Sequence, residues 1–128
     1  IDTKIAPDLR CVRGRSILSD MINNVIDNAV EAILKKGDGE LSVSASNERD
    51  AAGMDWVKIA VRDTGVGIQK EYLPQIFTIF FSTKGEGRGY GLWRAKAVIE
   101  NANGTIEAES EEGIGSVFTI LLPAETPQ

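Results

Sequence analysis

The sequence VKIAVRDTGVGI at residues 57–68 joins a strand pattern to a polar turn. Apolar Val57, Ile59 and Val61 alternate with other residues, which is the period of a strand with one buried face. The pattern runs directly into Asp63, and the two glycines that follow permit a tight turn. A carboxylate fixed at a strand end, beside backbone that a flat ligand can approach closely, is typical of a binding site.

Outward from this stretch, the spacing of apolar residues predicts further strands and three helices. Recurrence every three or four residues indicates a helix, and alternation indicates a strand. The predicted helices cover 16–36, 70–76 and 92–102, the other strands cover 41–45, 105–109 and 116–122, and residues 47–55 are expected to form a hairpin loop. Gly37-Asp38-Gly39 and Asn103-Gly104 are expected to end the two longer helices. Two hairpin-like pairs of strands favour an α+β fold with a mixed or antiparallel sheet.

The composition restricts the classes of function. A length of 128 residues with 42% hydrophobic residues predicts one globular domain spanning 1–128. The net charge of -5 argues against a nucleic-acid surface, and no apolar run is long enough to span a bilayer. With no histidine and one cysteine, the chain cannot form a Ser/His/Asp triad or a His-built zinc site. The single cysteine cannot form an intrachain disulfide, which fits the reducing cytoplasm. Because the chain begins at Ile1 without a signal-like segment, we expect a fragment of a longer protein.

Three polar residues of the first predicted helix form a candidate metal site. Asn24 and Asn28 are four residues apart and Glu31 follows three residues later, so all three lie on one helix face. Such a row is either an ordinary solvated face or a set of oxygen ligands for Mg²⁺ and its phosphates. Asn disfavours helix interiors, so two of them on one face require an explanation.

The triplet Asp63-Thr64-Gly65 has two interpretations besides ligand binding. It is compatible with a simple turn that needs Asp and Gly, and it matches the catalytic triplet of an aspartic protease. An aspartic protease needs two carboxylates that share a proton, and this chain has one such triplet, so a homodimer would have to supply the second.

A glycine-rich segment at residues 84–92, KGEGRGYGL, precedes the last predicted helix. Glycines let backbone N–H groups turn toward an anion, and a helix N-terminus adds partial positive charge, so a polyphosphate suits this position. Lys84 and Arg88 add local positive charge. The alternative is a flexible linker, and the pattern is neither a Walker loop nor a dinucleotide-binding fingerprint.

Taken together, these motifs resemble the four boxes of bacterial sensor histidine kinases. Residues 24–32 are similar to the N box, 63–68 to the G1 box, 76–84 with Phe77, Phe80 and Phe81 to the F box, and 89–92 to the G2 box, in the family's order. The phrases FFSTK and NAVEA are most similar to the nitrogen-regulation-like subgroup. The resemblance implies the Bergerat fold, a two-layer α/β sandwich with a mixed, mostly antiparallel sheet, three helices on one face and a flexible ATP lid.

The resemblance also implies roles for individual residues. Asn28, helped by Asn24, would bind Mg²⁺, Asp63 would accept the adenine amino proton, and Ser116 stands where the family usually has Thr. The candidate catalytic residues are Asn24, Asn28 and Glu31. The implied nucleotide-binding residues are Asn28, Asp63, Gly65, Gly67, Ile68, Phe77, Lys84, Arg88, Gly89, Tyr90, Gly91, Leu92 and Ser116.

The implied activity is transfer of the γ-phosphoryl group of ATP, with Mg²⁺, to a histidine on a separate dimerisation domain. That domain normally belongs to the same kinase and passes the phosphoryl group to a response regulator; no nucleic-acid or membrane contact by this domain is expected, although the parent kinase could be membrane-anchored. Asn24 replaces the water-orienting Glu of ATP-hydrolysing relatives, so fast hydrolysis is not expected. The alternatives are an anti-sigma-type serine kinase, which should carry an acidic residue at position 24, and a nucleotide-binding module without catalysis. A third alternative is an ATP-gated dimer clamp, which should hydrolyse ATP and carry an extra transducer segment.

Overall fold

A computed structural model describes residues 2–5, 15–78 and 91–124. Five strands in this part of the chain form one sheet in the order β1-β2-β3-β5-β4. Strands β1 and β2 are parallel and the other pairs are antiparallel, which confirms the mixed, mostly antiparallel sheet. The elements are β1 (Asp2–Ile5), α1 (Arg15–Lys36), β2 (Leu41–Arg49), β3 (Asp55–Asp63), α2 (Gly91–Asn101), β4 (Thr105–Glu111) and β5 (Gly115–Pro123).

Both predicted long helices form, and both end at the predicted residues. The α1 helix buries a stripe of Leu18, Met21, Val25 and Ala29, whose spacing of three and four keeps them on one face. It ends at Gly37, which has a φ of +99° and donates its N–H to the Ile33 carbonyl oxygen at 3.0 Å. This is the left-handed cap that glycine favours.

The α2 helix ends with a non-glycine residue in the same conformation. Asn103 has a φ of +65°, and the Gly104 N–H donates to the Ile99 carbonyl oxygen at 2.9 Å. The Asn103 N–H donates to the Glu100 carbonyl oxygen at the same distance, which completes the paired bonds of a Schellman cap. Asn adopts this backbone conformation more readily than most residues, so the turn closes without a glycine at that position.

In the described residues, the helices cover one face of the sheet and leave the other uncovered. The covered face carries the buried side chains Val57 and Val61 of β3 and Phe118, Ile120 and Leu122 of β5. All of these except Val57 form one hydrophobic cluster with the buried stripes of α1 and α2. Exposed Lys58 and Arg62 alternate with these residues and lie on the uncovered face. The two-layer α/β sandwich is therefore confirmed. In the part of the chain that the structure describes, no helix is long and apolar enough to cross a bilayer.

Three sequence predictions differ from the structure. The predicted helix at 70–76 is a single 3₁₀ turn at Leu73–Gln75, because Pro74 lacks an N–H and the segment is too short to add turns. The described residues thus hold two α-helices, and the predicted count of three is not confirmed. The hairpin loop is shorter than predicted, since β2 and β3 stay paired as far as Arg49 and Asp55, whose side chains form an ion pair. Strand β1 was not predicted, because four residues carry too little pattern.

Candidate functional site

Asp63 is a buried carboxylate at the end of β3, on the covered face of the sheet. Its residue is only 3% exposed, and its Oδ1 accepts a hydrogen bond of 2.9 Å from the Gly65 N–H. Burial raises the pKa of Asp63, while the backbone N–H groups of Gly65 and Ser116 oppose that shift. Burying a charged carboxylate costs free energy unless hydrogen bonds or an opposite charge compensate it. Carboxylates with a shifted pKa are common at functional sites.

Strand register aligns four residues at this end of the covered face. Leu41 of β2 pairs with Asp63 of β3, which pairs with Ser116 of β5, which pairs with Ser110 of β4. Ser116 is 5% exposed, and its Oγ lies 2.8 Å from the Oγ of Ser110. The structure therefore brings the predicted residues Asp63 and Ser116 side by side.

The two glycines after Asp63 are required by close packing. A Cβ at Gly65 would lie 2.5 Å from the carbonyl carbon of Ala32, so this turn touches the backbone of α1 directly. Gly67 has a φ of +71°, and a Cβ there would overlap the Glu111 carbonyl oxygen. The turn from Asp63 to Ile68 thus fits between α1 and the end of β4, and any side chain at these glycines would force the backbone apart.

Additional hydrogen bonds hold this turn in place. The Thr64 N–H donates to the Glu40 carbonyl oxygen at 3.0 Å, and the Glu40 N–H donates to Thr64 Oγ1 at 2.7 Å. Lys36 Nζ donates to the carbonyl oxygens of Thr64 and Gly113, at 3.2 and 3.1 Å. Sequence reasoning missed Thr64, Lys36 and Ser110 as contributors. Thr64 belongs to a quoted motif, whereas Lys36 and Ser110 carry no local signal because their partners are distant in sequence.

The polar row of α1 is partly buried rather than fully solvated. Asn24, Asn28 and Glu31 each have intermediate exposure, and Asn28 and Glu31 both have interaction partners in the structure. The Asn24 amide nitrogen contacts the sulfur of Met21 at 3.9 Å, which leaves its carbonyl oxygen as the group suited to a cation. Amide oxygens are ligands that Mg²⁺ accepts, so the donor chemistry fits this ion. Among the described residues, no group of three His, Cys, Asp or Glu side chains could hold a metal.

The third predicted region is only partly described. Gly91 begins α2, and the partly buried Leu92 packs against the core. Phe77 packs edge-on against Phe118, with ring centroids 6.2 Å apart, and Lys96 Nζ lies 5.4 Å from the Phe77 ring centre. The remaining predicted lid residues lie outside the described residues; they are Phe80, Phe81, Lys84, Arg88, Gly89 and Tyr90.

One helix connects the two described regions of the candidate site. The α1 helix carries Asn24 and Asn28 in its middle, and its last turns contact the Asp63 turn through Ala32 and Lys36. A rigid helix of this kind fixes the amide row relative to the buried carboxylate.

Comparison with known proteins gives a consistent result. Residues 14–126 match the family described as histidine kinase-, DNA gyrase B-, and HSP90-like ATPase. Sensor histidine kinase ZraS of Escherichia coli (strain K12) is 43% identical over 106 residues, which are 83% of this chain and 21% of that protein. A probable C4-dicarboxylate sensor kinase of Halalkalibacterium halodurans is 39% identical over 104 residues, covering 80% of this chain and 19% of that protein. The chain thus spans about a fifth of the length of these curated relatives.

Solved structures support the same fold. The catalytic domain of histidine kinase ThkA aligns with a TM-score of 0.77 and 29% identity, covering 96% of this chain and 78% of that one. Full-length ShkA in complex with AMPPNP aligns with a TM-score of 0.80 and 24% identity, covering 98% of this chain and 26% of that one, and supports the fold alone. None of these similarities tests the nitrogen-regulation-like subgroup, which stays a prediction.

Proposed function

Because the chain belongs to the family of histidine kinase-, DNA gyrase B- and HSP90-like ATPases, we propose that it binds Mg-ATP and transfers the γ-phosphoryl group to a histidine on a separate dimerisation domain. One observation carries the proposal. Asp63 is a buried carboxylate at a strand end, followed by two glycines whose backbone is packed too tightly for side chains. Such a site presents a fixed acceptor to a flat base, as an adenine pocket requires.

In this proposal, Asp63 recognises the base. Its carboxylate accepts a hydrogen bond from the exocyclic amino group of adenine, while the Gly65 N–H holds Oδ1 in place. A guanine or hypoxanthine base presents a carbonyl oxygen at that position, and two acceptors facing each other repel. The backbone of Gly67 and Ile68 borders the base in this proposal, and the Ile68 N–H is held by Ser110. Ser116 pairs with Asp63 on the neighbouring strand.

Asn24 and Asn28 would hold Mg²⁺ at the phosphate end of the nucleotide. Mg²⁺, when bound, neutralises the charge that develops on the phosphates. The amide oxygens of α1 would supply its ligands, and Glu31 extends the same polar row by one turn. The N-terminus of α2 at Gly91 adds backbone N–H groups and partial positive charge for the phosphates. Together these groups place the γ-phosphoryl group, and positioning supplies most of the catalysis.

The acceptor has to come from outside this chain, since the sequence contains no histidine. In the transfer step the bond from the γ-phosphorus to the β,γ-bridging oxygen breaks, a bond to the imidazole nitrogen forms, and ADP leaves. Asn24 cannot take a proton, so it does not activate water for hydrolysis. We place this step in the cytoplasm, on a dimerisation domain of the parent kinase, with a response regulator as the next acceptor.

Incubation with γ-labelled ATP, Mg²⁺ and a panel of histidine-bearing dimerisation domains tests the proposal. We expect acid-labile, base-stable label on the histidine of at least one partner and none on this chain. A partner whose histidine is replaced by Gln is the control. Label on a supplied serine substrate would favour the anti-sigma-type kinase. Nucleotide binding without label on any partner would favour a non-catalytic module, and either result would overturn histidine transfer.

A further inference from the structure

Ser110 lies at the centre of a hydrogen-bond network next to the proposed base pocket. The Ile68 N–H donates to its Oγ at 2.7 Å, which ties the glycine turn to β4. The same Oγ lies 3.0 Å from the Gly115 carbonyl oxygen and 2.8 Å from the Ser116 Oγ. Three partners around one hydroxyl leave few choices for its single proton.

Counting protons determines the direction of each bond. A carbonyl oxygen can only accept, so the Ser110 proton goes to Gly115. The Ser110–Ser116 contact therefore needs the Ser116 hydroxyl as its donor, and Ser110 accepts there and from Ile68 with its two lone pairs. The Ser116 hydroxyl is thus left with only lone pairs for any other neighbour.

The order of the strands sets where those lone pairs face. Strand β5 lies between β3 and β4, so Asp63 and Ser110 flank Ser116 from opposite sides. A Ser116 proton directed at Ser110 points away from Asp63. The Asp63 carboxylate accepts hydrogen bonds from the backbone N–H groups of Gly65 and Ser116. Because the Ser116 hydroxyl does not donate to it, the carboxylate keeps acceptor capacity for a ligand.

We propose that Ser110 is a positioning residue that keeps the Ser116 proton away from Asp63 and thereby makes the pocket selective for a base with an amino group. This inference rests on the proposed nucleotide binding. Without the Ser110 hydroxyl, the Ser116 proton is free to turn toward the Asp63 carboxylate. There it competes with the amino group of adenine and offers a donor to the carbonyl oxygen of hypoxanthine.

Binding of ADP and inosine diphosphate to wild type and Ser110→Ala tests the inference. We expect ADP affinity to fall about tenfold and inosine diphosphate affinity to hold or rise, so that discrimination falls by at least that factor. Ser110→Thr keeps the hydroxyl and should retain the discrimination. Ser44→Ala, on the uncovered face of β2, is the matched control and should behave as wild type.

Carbon-detected NMR titration measures the pKa of Asp63 directly. Ser110→Ala should lower the pKa of Asp63, because its carboxylate gains a hydrogen bond, and the Ser110→Ala/Ser116→Ala double variant should reverse that drop. Ser116→Ala alone should leave the pKa of Asp63 unchanged. This measurement still tests the inference if Ser110→Ala fails to fold. A rise of the Asp63 pKa in Ser116→Ala would overturn the inference. Unchanged discrimination between ADP and inosine diphosphate in a folded Ser110→Ala would overturn it as well. Wild type that binds neither nucleotide would instead overturn the proposed function.

Discussion

The two ends of the proposed site are built in different ways. The base end is made of a buried carboxylate, two glycines without space for a Cβ, and carbonyl oxygens held by Lys36. The phosphate end, where the structure describes it, consists of partly exposed amide side chains on α1 and the start of α2.

This difference suits the base end to ligand recognition and the phosphate end to phosphoryl transfer. Packed backbone cannot adjust, so the base end selects its ligand by shape and by the direction of its hydrogen bonds. The α1 side chains are only partly buried, so the proposed phosphate end depends less on fixed backbone and suits a metal and a substrate that changes during the reaction. Changes at the tightly packed glycines of the base end should therefore affect folding and affinity together, whereas side-chain changes at the phosphate end should spare the fold.

The largest effect is expected for Gly67→Ala, which breaks the base end. The new Cβ meets the Glu111 backbone at a left-handed φ, so we expect the free energy of unfolding to fall by about 3–5 kcal/mol. Gly113→Ala is the matched control, because Gly113 has a φ of +83° but open space around its Cβ position. That variant should lose only about 1–2 kcal/mol. Urea denaturation measures both, and equal losses would show that packing at Gly67 is not tight.

Asn28→Ala tests the phosphate end and should cause a smaller loss. We expect Mg-ATP affinity to fall about tenfold, while affinity for ATP in EDTA and the free energy of unfolding change little, since we propose that the amide contacts the metal and not the base. Asn23→Ala, at an exposed position on the same helix, serves as the control. Calorimetric titrations with and without Mg²⁺ give the comparison. Equal losses under both conditions would remove the metal role from Asn28.

The smallest effect is the pH dependence of stability at the base end. The folded-state pKa of Asp63 is raised, so its contribution to folding is present at low pH and is lost as pH rises through the folded-state pKa. Wild type should therefore gain free energy of unfolding relative to Asp63→Asn as pH is lowered from neutral. Urea denaturation of both proteins at several pH values measures the difference. A wild type that instead loses stability relative to the variant would mean that the Asp63 pKa is lowered in the folded state.

Much of the fold could be predicted from local patterns. The stripe of α1, the alternation of β3 and the turn at Asn103-Gly104 each depend on residues that are close in sequence. The segment at 70–76 misled the prediction because its apolar spacing is helical, whereas Pro74 limits it to one 3₁₀ turn. Strand β1 could not be found because its pairing partner, β2, lies some forty residues away.

The candidate site follows the same rule. Asp63, Gly65 and Gly67 were recognisable because a strand, a carboxylate and a turn adjoin in the chain. Ser110 and Lys36 contribute only through the folded arrangement, Ser110 across β5 and Lys36 across the gap between α1 and the β4–β5 turn. Their positions in sequence predict nothing about these contacts, because each depends on strand order and helix placement.

Calorimetric titration of wild type and Asp63→Asn with ADP tests the central claim most directly, which is that this buried carboxylate recognises the base. Asn keeps the size of the side chain and an oxygen for the Gly65 N–H, but its neutral amide is a weaker acceptor and its NH₂ opposes the adenine amino group. We predict saturable binding by wild type and a loss of about 100-fold in the variant, with a free energy of unfolding that does not fall. ADP affinity that is unchanged in folded Asp63→Asn would contradict the account.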